Sequence, residues 1–156
     1  MEDKLTRQKL INRVNRKAWW RTCLPSKRAI RDRGFFFAFS FEEAESYGRP
    51  LDTPFRVKIE NPIIGSFAYI QKQLLGKTVE YKDTIKAIFA HDKLLKEHAR
   101  KQGFDSIILL SENGFRKYRK ENKLPRQMEL NIFSGKECAL TSYDLLQKTT
   151  FQYFEI

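Results

Sequence analysis

At 156 residues the chain fits one domain, 1–156, able to bury roughly two-thirds of its unfolded surface, and its 41% apolar and 31% charged residues exclude a disordered chain. Its 30 Lys and Arg against 19 Asp and Glu leave +11, which favours a salt-dependent encounter with an anionic macromolecule, nucleic acid or an acidic protein. With no run of about 18 apolar residues, and charges throughout the start MEDKLTRQKL, neither a membrane span nor a secretory leader is expected; the cytoplasm is the expected compartment.

From Lys4 to about Arg16, Leu5, Leu10, Ile11 and Val14 recur at near-helical spacing among basic residues, so residues 1–17 read as a basic N-terminal helix. Ala18 to Leu24, AWWRTCL, is strand-compatible and stops at Pro25; GFFFAFS from Gly34 is a short buried strand. Ser40 and Glu43 make the S-x-x-E capping box of a two-turn helix that Gly48 stops. FRVKIENP alternates Phe55, Val57 and Ile59 inward and closes at Asn61-Pro62, and SFAYIQKQLLGK reads as a short helix.

The longest helix is expected over Thr84 to Gln102, capped by Asp83, with Ile85, Ile88, Phe89, Leu95 and Ala99 inward and Gly103 at its exit. A strand over Ser106 to Leu110 follows, then a polar basic loop from Asn113 to Arg126. QMELNIF puts Met128, Leu130 and Ile132 on one face and Gln127, Glu129 and Asn131 on the other, and TTFQYFEI reads as a last strand. Strands and helices are mixed without βαβ alternation, which gives α+β. The two cysteines, Cys23 and Cys138, are too few for a disulfide framework, and His91 and His98, seven apart, lack the spacing of a zinc pair, so no metal is expected.

A carboxylate in the middle of an alternating strand either faces solvent or lines a cleft, and Gln127 projects beside Glu129 to offer an amide and a carboxylate able to hold two sugar hydroxyls. The series GFFFAFSFEEAESYG, VKIENPI, GFDSIILL and RQMELNIF resembles the ADP-ribosyltransferase superfamily, in particular its small bacterial and phage-encoded members. The resemblance spans about Ala18 to Phe133. It implies a split mixed and antiparallel sheet flanked by helices, and a mono-ADP-ribosyltransferase that uses NAD as substrate.

By that resemblance Glu129 holds the acidic position of the Q/E-x-E motif and stabilises the oxocarbenium-like ribose, with Gln127 orienting the acceptor. Arg21 grips NAD, with Thr22 where the family often has Gly, and Tyr47 stacks on nicotinamide. Ala38-Phe39-Ser40 replaces the usual S-T-S, so Ser40 either supports Glu129 or only caps its helix. The resemblance also makes the segment before the catalytic strand the acceptor contact. Here Arg116, Lys117, Arg119, Lys120, Lys123 and Arg126 face one acid, Glu121, with Phe115 and Tyr118 set among them to stack on a base.

Residues 1 to 33 hold a second concentration, eleven Lys and Arg against three acids. The expected function is therefore transfer of ADP-ribose from NAD to nucleic acid or to a protein that is acidic or associated with it, in a phage effector or intracellular toxin. The alternative is a binding module of the same fold without turnover.

Overall fold

A computed structural model describes residues 2–20, 33–45, 54–133 and 139–142. Helix α1 runs over Lys4–Arg16; the Asp3 carboxylate caps it by accepting from the Thr6 amide at 2.9 Å, and Arg13 and Arg16 complement the dipole of its last turn. Its buried stripe is Thr6, Leu10, Ile11 and Val14, and Leu5 is 63% exposed. The stripe set by Leu10 and Val14 meets the first turn at Thr6, one residue past Leu5, which corrects the expected apolar face.

Trp19 exchanges backbone bonds of 2.7 Å with Phe55, and Trp20 pairs with Ala38 at 2.8 and 3.1 Å. The expected strand over Ala18 to Leu24 is thus represented by two bridges, its remainder lying outside the described residues. Strand β1 spans Phe35–Phe37 and helix α2 spans Phe41–Glu45. The Ser40 half of the capping box forms, its hydroxyl accepting from the Glu43 amide at 3.2 Å, while the Glu43 carboxylate reaches one residue past the cap and accepts from the Phe39 amide at 3.3 Å. Gly48 and the segment TTFQYFEI lie outside the described residues.

Strand β2 is Phe55–Lys58, and β3 follows at Pro62–Ser66. The latter, PIIGS, was not expected: all five residues are buried, so there is no alternation to read. Pro62 is tolerated because it opens an edge strand. Helix α3 is Phe67–Leu75, capped by Ser66, and α4 is Ile85–Lys101, capped by Thr84, whose hydroxyl accepts from the Ala87 amide at 3.2 Å, in place of Asp83. Leu95 and Ala99 face inward as expected, whereas Ile85 is 71% exposed and Phe89 lies half outside.

Strand β4 is Ser106–Leu110. The stretch expected as a loop is helix α5, Glu112–Glu121, capped by Ser111 and ended by Asn122 in the left-handed region at φ 56°. Two apolar residues at i and i+3, Phe115 and Tyr118, anchor it; so small an apolar face is hidden by its charges. Strand β5 is Glu129–Ile132 and β6 is Ala139–Ser142.

The protein is α+β. One mixed sheet has the order β1-β5-β4-β3, antiparallel except for β3 with β4; β2 and β6 pair antiparallel separately. One sheet face carries Phe37, Ile64, Ile108, Leu130 and Ile132 against α1, β2 and α5, and the opposite face carries Ile63 and Ile107 against α3 and α4. Asp105, in the GFDS segment, fastens the two parallel strands: its carboxylate accepts from the Glu60 amide and the Ser106 hydroxyl, both at 2.7 Å. No helix among the described residues is long and apolar enough to cross a membrane.

Candidate functional site

Glu129 opens β5, in register with Leu109 of β4, on the sheet face shared with Asn131. Its side chain is exposed, while Met128 and Leu130 beside it are buried at 3% and 1%. Two cavities meet at this point. A cleft of about 650 Å³ lies between the sheet and α4, and a groove of about 930 Å³ lies between the sheet and the segment from α5 to β5; Ala38, Leu109 and Glu129 belong to the walls of both.

The cleft is aromatic. Phe36, Phe67, Tyr81 and Phe89 are each between 38% and 44% exposed, and all four line it together with Trp20. Among the described residues, four of the seven large apolar side chains left exposed are therefore gathered in one hollow, a common feature of ligand-binding clefts. Its outer wall is built on the His91 ring. Tyr81 stacks on His91 with centroids 4.3 Å apart, Phe67 lies 5.4 Å from the same ring, and the Gln71 amide bonds His91 Nε2 at 2.9 Å. Burial pushes the His91 pKa down, so the neutral ring serves as a packing centre for this wall.

Three polar groups inside the cleft were not singled out from the sequence. The Arg33 guanidinium lies 3.6 Å from the centre of the Phe89 ring, Asp92 follows one turn along α4, and Asn131 donates to the Arg33 carbonyl at 3.0 Å. Asn131 Oδ1 is buried without a hydrogen-bond partner among the described residues and rests on Gly34, where an added Cβ would overlap it. The Asp92 carboxyl is pushed up to about 6, first by burial; the charge of Glu129 raises it further and Arg33 offsets part of the rise. Asp92, Arg33 and Glu129 thus act on one another across the cleft. The one available sequence signal is the Phe89-x-x-Asp92 spacing, which puts a ring and a carboxyl on one helix face.

A testable consequence concerns stability. The folded-state pKa of Asp92 lies above its ordinary 3.8, so the fold holds this proton more tightly than the unfolded chain does. The resulting stabilisation is complete below about pH 4 and is lost as pH rises through 6. Asp92→Asn is expected to stabilise the protein by ~1–2 kcal/mol at pH 7.5, after allowance for partial solvation, and to change nothing at pH 4. Urea unfolding at the two pH values checks this; an equal effect at both would remove Asp92 as the titrating group.

The groove is basic. Lys117, Lys123 and Arg126 line it with Gln127, and its floor is Leu124, Pro125 and Met128. Gln127 is exposed two residues before Glu129, so the amide and the carboxylate of the motif both reach this groove. The expected acceptor residues divide. Lys117 faces the groove, whereas Arg116, Arg119 and Lys120 line a separate hollow of about 320 Å³ on the other flank of α5.

Phe115 and Tyr118 are 7% and 1% exposed. Phe115 packs on Tyr69 at 4.6 Å between centroids, and Tyr118 donates to Glu2 at 3.0 Å, so neither presents a ring to a base. This corrects the stacking expectation, and the cause is the helix itself, which turns both rings inward. The Ser40 hydroxyl serves the α2 cap. Arg21, Thr22 and Tyr47 lie outside the described residues. Among the described residues no group of three or more His, Cys, Asp or Glu is placed to hold a metal ion.

No family model matches this chain, and no curated protein matches it. Among solved structures, the crystal structure of an anti-CRISPR protein is similar at 14% identity and a TM-score of 0.43, over 80% of this chain and 93% of that one.

Proposed function

We propose that the chain is a mono-ADP-ribosyltransferase whose fold is an ADP-ribosyltransferase-like split sheet. NAD is its substrate and an anionic macromolecule its acceptor. The reading is carried by one observation: Glu129, the acidic residue of the Q-x-E resemblance, stands on the wall common to an aromatic cleft and a basic groove. A donor with two flat rings and a charged diphosphate suits the cleft, where exposed rings surround Arg33. An acceptor suits the groove. Group transfer needs the two brought together at one stabilising charge, and Glu129 is that charge.

In the reaction the bond from ribose C1′ to nicotinamide nitrogen breaks and its electron pair leaves with nicotinamide. The acceptor nucleophile bonds C1′ and its proton passes to water. Glu129 stabilises the positive charge that builds on the ribose, and Gln127 orients the acceptor from the groove side. Arg33 joins Arg21 as a candidate for the diphosphate.

A second reading, a binding module that occupies an anionic partner without turnover, is favoured by Ser40, whose hydroxyl is engaged by the Glu43 amide. One experiment separates the two. The purified protein with NAD labelled in its adenylate, added to a cell lysate, is expected to leave label on macromolecules and to release nicotinamide. No label, with no thermal shift on adding NAD, would decide for the binding module.

A further inference from the structure

Helix α1, from the first basic segment, meets the second basic segment on one face. Arg13 on α1 donates to the Pro125 carbonyl at 2.9 Å, which ties the helix to the segment between α5 and β5, and Glu2 accepts from Tyr118 of α5 at the other end. Lys9 and Arg16 lie four before and three after Arg13 on the same exposed helix edge. Lys123 and Arg126 flank Pro125, and Lys117 lies across the groove mouth. The cations therefore follow a line from α1 to the groove that ends at Glu129. Acids along it are few: Glu121 pairs with Lys123 at 3.5 Å, and Glu43 stands on the far wall of the groove.

From this geometry we infer that the line is a binding track for single-stranded nucleic acid, with one nucleotide entering the groove. The inference rests on the transferase reading for what happens at the end of the track. A row of cations on two linked elements matches a chain of phosphates at regular spacing, and at its end the groove has an apolar lining, Leu109, Leu124, Pro125 and Met128, where a base or sugar would rest. A paired, stacked base could not reach Glu129 through that groove, which favours a single strand over a duplex. An acidic protein face would call for an apolar centre ringed by polar groups, whereas here the cations run as a row with the groove at one end.

The test uses the full chain carrying Glu129→Gln, so that binding is read without turnover. Fluorescence anisotropy is measured with a labelled 20-nucleotide single strand as DNA and as RNA, the corresponding duplex, and a polyglutamate of similar length, each over a salt series. The single strand is expected to bind at least ~10-fold more tightly than the duplex or polyglutamate. Its plot of log affinity against log salt should have a slope that falls by about 2 in Lys117→Gln/Lys123→Gln/Arg126→Gln, at ~0.7 per phosphate contact. Lys86→Gln/Lys93→Gln/Lys101→Gln on α4, across the sheet, removes the same three charges and is expected to leave the slope unaltered.

Polyglutamate bound as tightly as the single strand, or a triple variant that keeps the full slope while its circular dichroism is native, would overturn the track. The two failures are separable. Wild-type protein that cleaves NAD but binds no oligonucleotide ends the track alone, and wild-type protein that binds the oligonucleotide but neither binds nor cleaves NAD ends the transferase reading alone.

Discussion

Glu129→Gln is expected to lower labelled transfer from NAD by a factor of about 10³ while leaving the unfolding temperature unchanged. The size follows from the role: a preorganised charge placed where positive charge develops is typically the largest single contribution to a group transfer, and removing one such group costs 10²–10³ or more. Stability is spared because the side chain is exposed at the first position of β5 and the amide keeps its shape. A second readout ties the residue to its surroundings. Burial is the main cause of the raised Asp92 pKa and the charge of Glu129 a smaller one, so the variant should lower the Asp92 pKa slightly from about 6 while burial keeps it raised, measurable by NMR titration. Unchanged transfer in a folded variant would end the assignment.

The second large effect belongs to the fold that holds the cleft open. Gly34 sits at φ 96°, a region that side chains rarely adopt, and a Cβ there would overlap Asn131 Oδ1. Gly34→Ala must strain the backbone and displace Asn131, whose amide holds the Arg33 carbonyl at 3.0 Å. A loss of about 3 kcal/mol is expected, or roughly 6–12 °C in Tm for a chain of this size. Gly34→Ala/Asn131→Ala should recover part of that loss, because the overlap disappears while the φ strain stays. Equal Tm values for wild type and Gly34→Ala would show that the close approach of these residues is not a constraint.

Regular alternation and strong caps made some elements legible in advance. Helix α1, the strand Ser106–Leu110, the Ser40 cap and the inward set Met128, Leu130 and Ile132 appear where periodicity put them. Two elements escaped for opposite reasons. Strand β3 is buried on every residue and has no polar beat, and α5 is so charged that its two-residue apolar face reads as loop. The position of Phe89 shows a further limit. Helical spacing places it on the face turned toward the sheet, but spacing says nothing about whether that face is filled, and here it borders a cleft.

Taken alone, the sequence determined the α+β composition, the excess of positive charge and Glu129 as the residue to examine first, because these depend on composition and on local periodicity. Only the tertiary structure decided that Glu129 lies between an aromatic cleft and a basic groove, that Asp92 and Arg33 share the cleft with it, and that α1 and the segment after α5 form one basic face. These are contacts between residues tens of positions apart. They are set by how the sheet orders its strands and which helix covers which face, and no local pattern encodes that order.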